Sequence, residues 1–399
     1  MRAAVLPSGP VEGRRVAVTG IGAITCAGVG VDALWQALCS PEAPSSKRVA
    51  PFDASHIGGP KELRRFDPFT LYALMAAEEA WLQSGLTSPI LDGGSVVTTG
   101  IGGLQTVLEQ NRVLLEKGPD RVSPFMVPMM MPNAATAAVS MRYRLGGPAE
   151  TVTTACAAGT HAIGNAARLI ATGRCSVAVA GGAEAVIVDI AEAGFRNMTA
   201  LASDGVSMPF DVSRHGFVMG EGAGVLVLED WDHAIARGAT ILAEVVGAAS
   251  TADAHHITAP DPEGSGAIRC MELALEDAGL RAGDVSHINA HGTSTPLNDL
   301  AESVAVRKLF KDHTPPVTSV KGHLGHSLAA AGALEGVASV LTLLSQTIPP
   351  TAGTTQIDPA VGLDVVLGAP RSAQIDVVLS NSFGFGGHNG SVVFKRVAN

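Results

Sequence analysis

Apolar and polar positions along this chain fall into short β-branched runs separated by stretches with helical spacing. The runs predict strands at Val16–Thr19, Gly94–Thr99, Thr151–Thr154, Ser176–Ala180, Ile241–Ala248, Val285–Ala290, Val317–Val320, Ile375–Leu379 and Ser391–Phe394. A further, fully apolar strand closes the glycine-rich segment Asp211–Glu229. Helices are predicted at Asp32–Leu38, Phe69–Ser84, Thr136–Tyr143, Trp231–Arg237, Gly264–Ala278, Asp299–Phe310 and Ser327–Leu344. Gly20-Ile21-Gly22 and Gly181-Gly182 read as turns, residues 1–13 as a loose leader, 41–60 as a loop and 118–133 as a long irregular, methionine-rich segment. Strands alternating with helices predict an α/β fold with sheets covered on both faces.

One unit occurs twice. The run TVTT leads into Cys156 and an Ala/Gly-rich helix, and VTSV leads into Lys321–His326 and a second such helix. A duplicated fold with a pseudo-dyad sets those two turns against each other. Cys156 then stands where a strand gives way to a helix. Unpaired N–H groups at a helix start favour a thiolate, the nucleophilic form. A free cysteine is equally at home as a small buried hydrophobe, and this stretch alone leaves both readings open.

Composition narrows the choice. With 399 residues, 46% hydrophobic and 16% charged, the chain can bury two sizeable cores. A net charge of −10 argues against nucleic acid as a partner. Aromatics at 4% argue against a surface of stacked rings. The five cysteines (Cys26, Cys39, Cys156, Cys175, Cys270) form no CxxC, so neither a zinc site nor a disulfide framework is indicated. Their odd number, and a start without an apolar h-region, fit a reducing cytoplasm. The apolar stretches Val177–Ile190 and Leu328–Leu344 are broken by Glu184, Asp189 and Glu335, so no membrane span is expected. GIGAITCAG lacks the GxGxxG spacing of a dinucleotide site.

Four strand ends carry reactive or glycine-rich turns: Cys156, His291, Lys321–His326 and Phe383–Asn389. Ligand sites in covered α/β sheets gather at strand ends. A thiolate and two histidines converging there suit acyl-thioester chemistry, with glycine turns offering N–H groups to an oxyanion. Hydrolysis fits the same residues, and spacing does not separate it from acyl transfer. Taken singly, His291 and His326 are as readily structural; His161, His233 and His287 are read as structural. His323 and His326 have a metal-like spacing but no evident third ligand.

TTACAAGTHAIG, NAHGTSTPLND, SVKGHLGHSLAAAGALE and NSFGFGGHN, in that order, carry a family resemblance. Over about residues 14–396 the chain resembles the elongating (type II) β-ketoacyl-[acyl-carrier-protein] synthases of the thiolase superfamily, and their polyketide ketosynthase relatives. The resemblance implies a thiolase fold. Duplicated halves, 1–242 and 243–399, form a five-layered α-β-α-β-α sandwich, usually as a homodimer. It implies that Cys156 accepts an acyl chain from acyl carrier protein and condenses it with malonyl carrier protein, with loss of carbon dioxide. His291 and His326 hold the malonyl carbonyl, Lys321 paired with Glu335 sets the local field, and the N–H groups of Cys156 and Phe385 form the oxyanion hole. Phe385 is the gate, freed by Gly384 and Gly386 and neighboured by Phe383. Thr293 and Thr295 bind the phosphopantetheine arm, which arrives on the carrier, so no cofactor of the chain's own is expected. Ile101 and Phe195 line the acyl pocket. The basic cluster Lys61, Arg64 and Arg65, with Arg121, gains a purpose as the landing site for an acidic carrier.

Three departures stand out. His215 replaces a common Asp, His388 a frequent Thr, and Phe195 is followed by Arg196, Asn197, Met198 and Thr199 where the family resembled often has several basic residues. A ketosynthase of a specialised pathway and a non-catalytic partner subunit are the alternatives. The intact Cys156, His291, Lys321 and His326 speak against the second.

Overall fold

The computed structural model describes residues 13–311 and 313–397. The expected leader, apart from residue 13, lies outside them. Ten strands carry the architecture: β1 (Val16–Thr25), β2 (Gly94–Thr98), β3 (Ala149–Glu150), β4 (Val177–Glu184), β5 (Gly222–Asp230), β6 (Ala243–Ala252), β7 (His287–Asn289), β8 (Val317–Thr318), β9 (Val377–Gly384) and β10 (His388–Lys395). Their order in the sheet is β3-β2-β4-β5-β1-β6-β10-β9-β7-β8, with Gly28–Val29 added beside β1. Read inward from each edge, the order 3-2-4-5-1 becomes 8-7-9-10-6, the same pattern shifted by five. Pairing senses match as well: β3, β2 and β4 are mutually parallel, as are β8, β7 and β9, and the remaining pairs are antiparallel. The duplication expected from two similar motifs is therefore a duplication of the whole half. Val16, Ala17 and Val18 pair with Val245, Glu244 and Ala243 to join the halves.

Alternation along the strands builds the layers. In the first half Val177, Val179, Val225 and Val227 face one core with Phe69, Ala73 and Ala76 of helix α1 (Pro68–Ser84) and with Ala135 and Val139 of α2 (Ala134–Tyr143). Their neighbours Ala178, Ala180, Leu226 and Leu228 face a central core with Ile163 of α3 (Ala158–Ala171) and Leu334 of α6 (Ala329–Ser345). Val378, Val392 and Phe394 close that central core from the second half. Val377, Leu379 and Val393 turn outward to Met271 of α4 (Ser265–Asp277) and Val306 of α5 (Pro296–Phe310). The result is the five-layered thiolase sandwich, with α3 and α6 as its shared middle layer.

Several local expectations are corrected. Gly20-Ile21-Gly22 is not a turn, because β1 runs through it with an irregularity between Val18 and Gly20. Its glycines admit α1: a Cβ at Gly20 or at Gly22 would stand 2.0 Å from the carbonyl oxygen of Ala80 or Ala76. Gly181-Gly182 likewise lies within β4. The predicted strand at Thr151–Thr154 pairs only at Ala149–Glu150. Beyond it, side chains replace the ladder: the Thr151 and Thr153 hydroxyls donate to the carbonyls of Val97 (3.4 Å) and Thr99 (3.2 Å). Within 118–133, Pro119–Arg121 forms a 3-10 turn and Met126–Met130 a short helix. No helix among the described residues is long and apolar enough to cross a membrane.

Candidate active site

Cys156 sits in a 3-10 turn, Ala155–Ala157, which runs straight into α3. Ala155 has φ of +51°, and Leu328, just before α6, has φ of +47°. Both are strained for residues with a Cβ, and such strain concentrates at functional sites. Cys156 and Leu328 belong to one apolar cluster with Val186, Ile187, Phe217 and Met219, against which Phe195 packs. A cavity of about 550 Å³ opens over it, lined by Cys156, His291, His326, Phe383, Phe385 and Thr293 among others.

The two histidine rings lie edge to face, centroids 5.4 Å apart, and His291 meets Phe383 at 6.0 Å. Their placement is backbone work. The N–H of His291 and of Gly292 each donate to the Glu302 carboxylate at 2.8 Å. The N–H of His326 donates to the carbonyl of Val218 at 2.7 Å, and that of Gly220 to the carbonyl of His326 at 2.9 Å. Lys321 is buried, donates to the His291 carbonyl at 2.6 Å, and is ion-paired with the buried Glu335 carboxylate. Ser382 links Glu335 (3.3 Å) to Thr160 (2.8 Å) on α3, the helix that follows Cys156.

Burial, then the Lys321 charge, holds both His291 and His326 far below the ordinary histidine range, and the neighbouring His326 ring lowers His291 further. Both act as neutral imidazoles, and the buried Nδ1 of each has no hydrogen-bond partner. For Cys156 the helix-start argument is overturned. Burial pushes its thiol up to about 11, while Lys321 and the Phe385 N–H, which reaches the sulfur, pull it down. Desolvation outweighs the helix end because the turn is closed off from water. At rest Cys156 is a thiol.

Two family models match the chain: beta-ketoacyl synthase, N-terminal domain, over residues 41–234, and beta-ketoacyl synthase, C-terminal domain, over 242–355. The chain is a member of the beta-ketoacyl synthase family. It is 42% identical to 3-oxoacyl-[acyl-carrier-protein] synthase 2 of Synechocystis sp., over 97% of this synthase and 99% of the relative. With the same enzyme of Rhizobium meliloti it shares 40% over 96% and 99%. Among solved structures, the ishigamide ketosynthase/chain length factor superposes with TM-score 0.91 at 33% identity, covering 97% of this synthase and 100% of that chain. A type II polyketide acyl-carrier protein in complex with its ketosynthase superposes with TM-score 0.88 at 31% identity, covering 97% and 100%.

Most expected site residues of the synthase converge. Thr293 and Thr295 line the cavity and share a 2.8 Å hydrogen bond between their hydroxyls. Gly384 faces the Cys156 turn, where a Cβ would meet the Cys156 nitrogen at 3.0 Å, and Gly386 has φ of +83°. Phe195 lines the cavity and stands edge-on to Phe217 at 5.3 Å. Ile101 is 41% exposed and is not among the lining residues. Lys61, Arg64, Arg65 and Arg121 lie apart on the surface, all exposed, with Arg65 stacked over Phe125 at 4.6 Å. His388 is half-buried at the start of β10, outside the lining.

Sequence reasoning missed four contributors. Phe217 packs edge-on to His326 at 5.3 Å, and its signal was the Gly-rich segment before an apolar strand. Glu302 and Asp299 are buried acids in the predicted helix Asp299–Phe310; burial pushes them up to about 8 and about 6. Glu184, noted only as a break in an apolar run, accepts from Thr99, Gly100 and Ala329 near Cys156. Among the described residues no cluster of three His, Cys, Asp or Glu is placed to hold a metal ion.

Proposed function

We propose that this synthase elongates acyl chains in fatty acid synthesis by decarboxylative condensation on acyl carrier protein. The observation that carries it is the meeting of Cys156, His291 and His326 in one cavity, with Lys321 buried beneath the histidines. The Cys156 sulfur attacks the acyl thioester carbonyl, and its proton leaves with the carrier thiol. The Cys156 and Phe385 N–H groups hold the oxyanion. Malonyl carrier protein then enters, and neutral His291 and His326 donate to its thioester carbonyl. Its carboxylate leaves as carbon dioxide, and the bond's electron pair becomes an enolate those donors stabilise. The enolate carbon attacks the acyl–Cys156 carbonyl, the S–C bond breaks, and the thiol re-forms with a proton from solvent. Lys321, with Glu335, anchors the His291 carbonyl and supplies the field on both rings.

The acyl chain runs from Cys156 into the apolar cluster around Phe195, Phe217 and Leu328, and Ile101 contributes from the surface of a homodimer. Phe385 gates the entry, using the freedom of Gly384 and Gly386. Thr293 and Thr295 guide the carrier's arm, and the cluster of Lys61, Arg64, Arg65 and Arg121 receives the carrier itself. Halves 1–242 and 243–399 work as one unit in the cytoplasm, without a cofactor of their own. A specialised polyketide ketosynthase is the second reading, favoured by the overlay on polyketide proteins at 31% and 33% identity. The fatty-acid reading draws on relatives at 42% and 40%.

The test loads the enzyme from an acyl carrier thioester, adds malonyl carrier protein and follows intact masses. A β-keto product two carbons longer supports the proposal. Free acid indicates a hydrolase, and condensation by Cys156→Ala overturns the assignment.

A further inference from the structure

The cavity carries one exposed ionisable side chain that the condensation steps leave unused. His215 lines it, and its side chain is 36% exposed. The ring is held from both sides: Nδ1 lies 3.1 Å from the Ser213 carbonyl oxygen and Nε2 lies 3.2 Å from an Asp204 carboxylate oxygen. The carbonyl only accepts, so a proton on Nδ1 makes the first contact a hydrogen bond, and the second is an ion pair only when Nε2 is protonated as well. The backbone is fixed too. The Gly216 N–H donates to the Ser294 carbonyl at 3.1 Å, which seats His215 beside Thr293 and Thr295.

No lysine or arginine is among the described residues lining the cavity. Its other ionisable side chains are Asp253, which accepts from Asn389 Nδ2 at 2.7 Å, and the buried Cys156, His291 and His326. Arg214, the preceding residue, turns away to Asp358 at 2.7 Å and Asp299 at 3.7 Å. His215 is therefore the one exposed group in the lining that carries positive charge when protonated.

We infer that His215 recognises the phosphodiester of the incoming phosphopantetheine arm, an inference that rests on the carrier-borne substrate proposed above. With the arm's thioester at buried Cys156 and its amides beside Thr293 and Thr295, its one charged group is left at the solvent-exposed end of the cavity. An imidazolium there attracts it, whereas the aspartate common at this position in the family resembled would repel it. A histidine makes the attraction conditional, because only a protonated imidazole carries the charge. The acidic neighbours Asp204 and Asp253 oppose the phosphate directly, so the effect is modest.

Two small substrates isolate it: an acyl-pantetheine thioester, which is neutral, and the same compound bearing a methyl phosphodiester, singly charged between about pH 5 and 8. The readout is the ratio of their kcat/KM values for acylating Cys156. In the unaltered enzyme the charged substrate is favoured about threefold at the acidic end, falling to about one at the basic end. His215→Gln gives a flat ratio near one, His215→Asp a ratio below one, and His215→Arg a ratio above one throughout. A general loss of activity cancels in the ratio. A flat profile in the unaltered enzyme, or an unchanged slope in His215→Gln, overturns the inference. Failure of the neutral thioester to acylate Cys156 overturns instead the underlying reading of the nucleophile.

Discussion

Lys321→Met removes one charge from the most buried part of the site while keeping chain length. Lys321 is 1% exposed and its partner Glu335 0%. The substitution strands the Glu335 carboxylate with only the Ser382 hydroxyl at 3.3 Å, and it takes the donor from the His291 carbonyl. Breaking a buried pair from one side costs about 3–5 kcal/mol, and the lost charged hydrogen bond lies within about 1.5–3 kcal/mol. These overlap, so we expect a total loss near 5 kcal/mol, comparable to the whole stability of many domains. Lys321→Met with Glu335→Gln leaves no unpaired charge and regains about 3 kcal/mol. Urea unfolding of both variants measures the difference. Malonyl decarboxylation stays lost in both, because the field of Lys321 on His291, His326 and Cys156 is gone in each. A double variant no more stable than the single one refutes the claim that the cost is the orphaned Glu335 charge. Recovery of decarboxylation in the double variant refutes the catalytic part.

Iodoacetamide alkylation of Cys156 should accelerate with pH toward about 11, and Glu184→Gln should shift the midpoint lower, since the Glu184 charge raises the thiol. A midpoint unmoved in that variant removes Glu184 from the site's electrostatics. Glu184 also titrates up at about 7 through burial, against an ordinary 4.5, so it binds a proton more readily folded than unfolded. Its contribution to stability falls as pH rises from 4.5 to about 7, and Glu184→Gln should flatten that slope in denaturation series at several pH values. Arg64→Glu with Arg65→Glu should raise the apparent KM for carrier-bound substrate and leave acylation by a small thioester intact; equal loss with both counts against docking there. Gly159→Ala should destabilise by about 1–3 kcal/mol or more, because its Cβ would lie 2.5 Å from the Ala329 carbonyl oxygen. Gly194→Ala, a helical position with nothing within 4 Å, should instead gain about 0.5–1 kcal/mol in the same melts.

Periodicity located most helices and strand cores, because burial on alternate positions leaves the same trace in sequence and structure. It failed where glycine serves packing rather than turning. Gly20, Gly22, Gly181 and Gly182 look like punctuation in one dimension, yet they are strand positions that a helix or another backbone approaches closely. The same limit hid Glu302 and Glu184: a buried acid in a helix or strand is legible only once its N–H donors, distant in sequence, are known. Cys156 shows the opposite error. Its place at a helix start was legible, but the sign of its shift was set by desolvation, which depends on everything packed around the turn.

The duplication explains why the site sits where it does. Ala155 and Leu328 occupy equivalent places before the two central helices, share a positive φ, and are each followed four residues later by a glycine, Gly159 and Gly332. Those glycines meet across the middle layer: a Cβ on Gly159 would strike Ala329 and Ala333, and one on Gly332 would strike Thr160. The close approach brings both helix starts to one point. One copy has used its strained turn to present Cys156. The other brings Leu328 into the same apolar cluster as Cys156 and supplies His326 and Lys321 from the turn before it. An inward-facing site of this kind needs both halves at their native spacing, so the central glycines belong to the chemistry as much as the residues that line the cavity.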